Sequence, residues 1–292
     1  IIHYFFPWPF ADLLHRLICS AKPTVLTYIS DIVRQRCLGF FYTPLMWRTL
    51  KSMTAVVANC PAYVNSSSIL SSSLVDGRLT VIPLGINEES YATHEDVRVF
   101  ERLGIQPHLP FFLFIGALRY YKGLTYLIEA AQQVAAPVVI VGTGAEESKL
   151  HSQAKITGAN NIVFAGSVSH AEKMTLLRRC RALVLPSHLR SEAYGMVLLE
   201  AAMLSRPQIS CDIGTGTSWI NLDNETGLVV EPKNPAALAM AMKRLLYNAG
   251  EADALGRGAR GRYDQYFSGK VTGENYVRLY RQLVYGSSMS CV

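Results

Sequence analysis

Short apolar runs recur along the chain, each of strand length, with amphipathic stretches between them. Residues 1–5, 24–29, 55–58 and 79–82 form the first group; 111–115, 138–141, 162–165, 182–185, 207–210 and 227–230 form the second. Helical patterns fall between and after them at 11–21 (apolar at Leu13, Leu14, Leu17 and Ile18), 45–53, 124–134 and 271–284. Continuously apolar strands alternating with helices predict an α/β fold, its parallel sheets covered on both faces. Residues 94–109 are polar and read as a linker, and Arg244, Arg257, Arg260 and Arg262 read as solvated positions on late helices.

Composition narrows this reading. The chain has 292 residues, 50% of them hydrophobic, enough for two domains of ordinary size. No apolar run approaches the roughly 18 residues that span a bilayer. The chain opens on I-I-H-Y with no basic n-region, so no leader is expected. Cys19, Cys37, Cys60, Cys180, Cys211 and Cys291 show no paired metal spacing and read as reduced thiols of a cytoplasmic protein. The net charge is +6, and the first sixty residues hold six of the Lys and Arg residues against Asp12 and Asp31. Such a face suits an anionic membrane surface or a phosphorylated acceptor, or is simply solvated. Charge alone also admits nucleic acid, but no binding motif supports it.

The chemistry concentrates in residues 181–204, R-A-L-V-L-P-S-H-L-R-S-E-A-Y-G-M-V-L-L-E-A-A-M-L. A strand ends at Pro186 and Ser187, a polar loop carries Glu192, and a helix begins near Gly195 with Glu200 inside it. The N–H groups at such a helix start favour an anion, so Gly195, Met196 and Val197 are candidate diphosphate contacts. Glu192 and Glu200 on either side would hold the ends of an elongated ligand. The plain alternative is a strand-loop-helix unit whose two carboxylates carry no chemistry. Lys122, in G-A-L-R-Y-Y-K-G (116–123), suits a diphosphate equally well as it suits a surface turn. Gly116, Gly142 and Gly144 mark backbone turns at strand ends, a weak signal alone. His188 is a loop histidine with no role.

The stretch S-E-A-Y-G-M-V-L-L-E-A resembles the Glu-x7-Glu signature of retaining glycosyltransferases of the GT-B fold, family 4, and the resemblance extends over residues 1–285. It implies two Rossmann-like domains: an acceptor-side domain at 1–98, incomplete at its N-terminus, a donor domain at 99–268, and a C-terminal helix and tail at 269–292 that crosses back onto the first. The P-L-G-I-N turn (83–87) resembles the family's interdomain turn. The resemblance implies a nucleotide-sugar donor as substrate, with no cofactor. Glu192 would sit by the sugar ring and Glu200 would bind the ribose hydroxyls. Phe164, Gly166 and Val168 would line the base pocket, and I-G-T-G-T-S (213–218) would approach the sugar. The sequence has no Asp-x-Asp, so neutralisation of the leaving diphosphate would fall to Lys122, Arg119 and the helix amides.

Two departures stand out. The family arginine position in the 116–123 loop is Ala117, with Arg119 two residues on. The position of a family histidine before Ser-Asp is Ile29, which has no donor or acceptor for a sugar. With the family's first half-domain missing upstream of Ile1, the resemblance predicts a fragment with little or no transfer of its own. The segments I-H-Y-F-F-P-W-P, S-D-I-V-R-Q and L-R-Y-Y-K-G-L resemble bacterial mannosyl- and rhamnosyltransferases of O-antigen assembly. They imply GDP-mannose as donor and a lipid-linked saccharide as acceptor. A GT-B nucleotide-sugar epimerase, or a non-catalytic nucleotide-sugar binder, remains open at this stage.

Overall fold

The structure, a computed structural model, describes residues 1–18, 21–32, 36–72 and 75–286, with backbone alone for 36–41. Cys19, Arg34 and Cys291, and the side chains of Arg36 and Cys37, lie outside what is described.

The described strands form two parallel sheets. In the first, β1 (Ile2–Phe6), β2 (Thr24–Tyr28), β3 (Ala55–Ala58) and β4 (Leu79–Val81) stand in chain order. The second holds β5 (Phe112–Ile115), β6 (Val138–Val141), β7 (Ile162–Gly166), β8 (Ala182–Leu185), β9 (Gln208–Cys211) and β10 (Gly227–Val230), in the order β10-β9-β8-β5-β6-β7. Strands β2, β3, β6, β8 and β9 are buried at every position; β3, β6 and β8 accordingly read as unbroken apolar runs, while β2 and β9 also bury Thr24, Thr27, Gln208 and Ser210. The helices of the first half are α1 (Pro9–Leu17), α2 (Arg36–Ser52) and α3 (Pro61–Ser66). Then come α4 (Arg98–Arg102), α5 (Leu124–Ala131), α6 (Glu147–Thr157), α7 (His170–Arg179), α8 (Met196–Met203) and α9 (Gly216–Ile220), followed by α10 (Pro235–Tyr247), α11 (Ala249–Arg262) and α12 (Gly269–Tyr285).

Chain order reverses between β5 and β8. From β5 the sheet grows outward through β6 and β7; the chain then returns to lay β8, β9 and β10 on the other side. The loops after β5 and β8 therefore leave neighbouring strands at the carboxyl edge, the place where open α/β sheets bind their ligands.

Several elements differ from the sequence reading. Helix α1 starts at Pro9, whose fixed φ suits a first helical position, and stops at Leu17, short of residue 21. Helix α2 begins at Arg36, well before the expected residue 45, and carries Pro44 inside it. The stretch 94–109 is more than a linker: α4 buries Val99 and Phe100, Ile105 is buried after it, and the Phe100 ring meets Phe111 edge-on at 6.1 Å. Arg260 and Arg262 are not simply solvated. Arg260 pairs with Glu88 and Asp264 and donates to the Met203 carbonyl, while Arg262 lies over the rings of Trp219, Tyr266 and Phe267.

The two passages between the sheets run side by side. Ile86 N–H donates to the Phe267 carbonyl (3.0 Å), and Gly269 N–H donates to the Ile86 carbonyl (2.8 Å). Helix α12 then returns to the first sheet, with Leu279 among Val25, Ala55, Val57 and Ile82. There the His3 ring bridges Tyr280 Oη and Thr27 Oγ1, each at 2.7 Å, and Tyr276 Oη lies 2.8 Å from the same threonine.

Candidate active site

The site is built where the β5 and β8 loops touch. Gly123 holds φ +72 between a 3-10 turn, Tyr120–Lys122, and helix α5, and a Cβ there would lie 1.9 Å from the Pro186 carbonyl oxygen. Only glycine lets the two backbones approach so closely. His188 N–H adds a bond to the Tyr121 carbonyl at 3.0 Å.

This contact sets Lys122 beside Glu192. Lys122 Nζ lies 2.5 Å from Glu192 Oε2, with the two side chains 12% and 10% exposed. Ser187 Oγ donates to the same oxygen (2.9 Å), and Thr215 Oγ1 donates to the Glu192 carbonyl (2.8 Å). The carboxylate and its main chain are thus fixed separately. Removing one partner of such a desolvated pair costs about 3–5 kcal/mol, because the other charge stays buried.

Glu200 does not join this pair. Both its oxygens accept from Lys173 Nζ of α7, at 3.0 and 3.1 Å. Tyr91 stands against the two; its phenol is pushed up to about 12 by burial first, then by the Glu200 charge and hydrogen bond. Each carboxylate of the Glu-x7-Glu stretch therefore arrives with its own lysine.

Between the two carboxylates lies the start of α8. Gly195 is its N-cap, in the left-handed region at φ +85, packed under Leu185 and Leu198. Met196 is exposed and Val197 half-buried. The first N–H groups of a helix have no acceptor within it, so this turn presents donors beside the Lys122–Glu192 pair. The chain leaves β5 at Ile115, so Arg119 lies in a loop and the two-residue offset from Ala117 gives no shared strand face. Arg119 is exposed, and among the described residues its guanidinium has no partner.

The other sequence candidates are placed as follows. Gly116 lies against Lys122 and Phe114: a Cβ there would be in ordinary contact with Lys122 Nζ at 3.6 Å and the Phe114 ring at 3.4 Å. Gly142 and Gly144 pack against the backbone of Gly116 and Leu118, so their missing side chains serve loop-to-loop contact. Gly166 turns the chain after β7, and its carbonyl accepts from Gly142 N–H at 2.8 Å. The Phe164 ring is stacked by His151 at 3.9 Å, and Val168, after the Gly166 turn, is half-buried. His188 packs edge-on to Tyr126, and burial holds its imidazole below the ordinary value. Ile29 follows β2, half-buried, its carbonyl accepting from Asn59 Nδ2 (3.2 Å).

Sequence reading missed four groups: Ser187, Lys173, Arg190 and the partners of Asp31. Arg190 Nη2 lies 3.1 Å from Asp31 Oδ2, and Arg190 Nη1 donates to the Gly214 carbonyl at 3.1 Å. Ser187 follows a strand end directly and was within reach of the pattern. The other three depend on pairings over long stretches of chain, for which a local pattern carries no signal.

Known proteins resemble this chain in sequence and in fold. Residues 98–262 match the family described as glycosyl transferases group 1. The chain is 46% identical over 271 residues to the D-rhamnosyltransferase WbpZ of Pseudomonas aeruginosa, an alignment covering 92% of this chain and 70% of WbpZ. It is 43% identical over 294 residues to the O-antigen chain mannosyltransferase C of Escherichia coli, covering 99% and 76%. Sucrose-phosphate synthase from Thermosynechococcus elongatus superimposes with a TM-score of 0.80 at 22% identity, over 98% of this chain and 74% of that one. Anabaena HepE, solved in complex with UDP, gives 0.80 at 18% identity over 95% and 78%. At such identities the two structures speak for the fold, two parallel-sheet α/β domains of GT-B type. Taken with the family match and the two sequence relatives, they leave one assignment: the chain belongs to the group 1 glycosyl transferases.

Proposed function

We propose that the chain carries the donor-binding part of an enzyme that transfers mannose from GDP-mannose, with retention, to a lipid-linked saccharide acceptor in O-antigen assembly, with little transfer expected of the chain on its own. The observation that carries the reading is the Lys122–Glu192 pair at the reversal point between β5 and β8, with the α8 turn following in the same loop and Arg119, unpaired among the described residues, three positions before Lys122. The two sequence relatives, named for D-rhamnose and mannose, support the sugar class. D-rhamnose is 6-deoxymannose, so both names imply the manno configuration at C2.

In this reading the diphosphate lies against Lys122, Arg119 and the N–H groups of 195–197. Negative charge grows on the diphosphate as the glycosidic bond lengthens, and donors already in place stabilise it without reorganising. Lys122 then divides its charge between phosphate and Glu192, and the released Glu192 oxygen accepts from a sugar hydroxyl. Glu200 and Lys173 meet the ribose, and residues 164–168 the base. Attack comes from the face the diphosphate leaves, and the diphosphate takes the acceptor proton. The carboxylate pairing of glycosidases does not carry over, since Glu192 and Glu200 each bond a lysine.

Among the described residues no helix is long and apolar enough to cross a membrane. Helix α1 and the turn before it expose Trp8, Phe10, Leu13 and Leu17 in the basic N-terminal part of the chain. That combination supports a peripheral seat on an anionic membrane, where a lipid-linked acceptor would be found.

The test is product analysis of the whole enzyme with GDP-mannose and a lipid-linked saccharide. An α-mannosyl product from the α-linked donor is expected. A β-linked product overturns retention, a changed free sugar nucleotide indicates an epimerase, and donor binding without any turnover indicates a binder.

A further inference from the structure

Asp31 and Arg190 are 159 positions apart and meet where the first sheet faces the second. We infer that Arg190 is a positioning residue through which the first sheet sets the Glu192 loop. The inference rests on Glu192 belonging to the donor site.

The contact is built from both sides. Asp31 Oδ1 accepts from Tyr28 Oη (2.9 Å) and Ser67 Oγ (2.8 Å), and its backbone N–H donates to Tyr63 Oη (2.6 Å). That leaves Oδ2 directed at Arg190 Nη2. The Arg190 guanidinium lies over the Tyr63 ring, 5.2 Å from its centre, so the same tyrosine steadies both partners. Ser66 Oγ, also from the first sheet's side, donates to the Gly214 carbonyl that Arg190 Nη1 reaches.

From Gly214 the path to Glu192 is short. Thr215 Oγ1 donates to the Glu192 carbonyl, and Gly216 N–H donates to the Ala193 carbonyl at 3.0 Å. Asp31, Tyr63 and Ser66 therefore grip two loops of the second sheet, and those loops are bonded to each other around Glu192. A movement of one sheet relative to the other is passed to Glu192 through Arg190. Arg190 itself needs no contact with donor to have this effect. A bidentate, always-charged guanidinium stacked on an aromatic ring suits that task better than lysine would.

The test compares Asp31→Asn, Arg190→Gln and the double variant with the parent, using GDP-mannose and a lipid-linked acceptor, beside GDP calorimetry. A site loosened by about 1 Å loses on the order of a hundredfold in kcat. Both single variants are expected to lose kcat on that scale with GDP affinity unchanged. The double variant is expected to be no worse than either, because one link is removed once. Arg190→Lys should restore part of the rate. Unchanged kcat, losses that multiply, or GDP affinity falling in step with kcat overturns the inference; the last would mean that Arg190 touches the donor itself. If the parent transfers no sugar, the inference is judged by hydrogen exchange. Faster exchange over 186–194 in both single variants then supports it, and exchange equal to the parent's overturns it.

Discussion

Glu200 of α8 and Lys173 of α7 are held together by both carboxylate oxygens, at 3.0 and 3.1 Å, with side chains only 12% and 21% exposed. The second carboxylate of the Glu-x7-Glu stretch is thereby fixed from a helix 27 positions earlier in the chain. If it meets the ribose, Glu200→Gln should weaken guanosine monophosphate and GDP by similar factors and leave inorganic pyrophosphate unaffected. Calorimetry with the three ligands checks this. Weaker pyrophosphate binding would instead place Glu200 at the phosphates.

Arg119 offers the cleanest separation of binding from stability. Its guanidinium is exposed and has no partner among the described residues. Arg119→Ala should change unfolding free energy by no more than about 0.5 kcal/mol, the range of ordinary surface substitutions. GDP affinity should fall nonetheless, by about 1.5–3 kcal/mol if a charge-assisted hydrogen bond to phosphate is lost. Denaturant titration and calorimetry on one preparation read both.

Acid should loosen the seat of α12 on the first sheet. Burial lowers His3 below its ordinary value of 6.5, so as pH falls the unfolded chain takes up this proton before the folded one does. Stability that is fully present above pH 6.5 is then lost as pH drops toward the folded-state value. His15 and His188 are lowered in the same direction, also first by burial. His3→Gln should flatten the slope of stability against pH below 6.5 while leaving a residual slope from the other two. Thermal unfolding between pH 5 and 8, roughly the window in which histidine titrates, measures it.

Much of the fold was legible because its strands are short and mostly apolar, several of them buried at every position. Val138–Val141, Ala182–Leu185 and Gly227–Val230 stand where their apolar runs predict. Helix boundaries were less so: α2 runs through Pro44, and α4 hides Val99 and Phe100 in a charged stretch. In the candidate site, the loops around Lys122 and Glu192 were found as separate motifs. That they meet depends on β5 and β8 being neighbours, a fact of topology with no local signature. Arg262 read as solvated although Tyr266 and Phe267, two of the rings it covers, follow closely in sequence; the carbonyl that orients it belongs to Trp219, 43 positions away. Arg190 was silent for the same reason: its partner belongs to the other sheet.

The account turns on Lys122 as the cation that meets the donor's diphosphate, and GDP calorimetry on three variants tests it most directly. Lys122→Ala should weaken GDP by about 1.5–3 kcal/mol, the range for a hydrogen bond to a charged group. Glu192→Gln should bind GDP as tightly as the parent or more so, since Lys122 loses a competing anion 2.5 Å away. Lys122→Met with Glu192→Gln removes both buried charges at once, so it should stay close to parent stability and still bind GDP weakly. Weak GDP binding in both variants that lack Lys122, with affinity kept in Glu192→Gln, is the predicted result. GDP bound by Lys122→Ala as tightly as by the parent would contradict it.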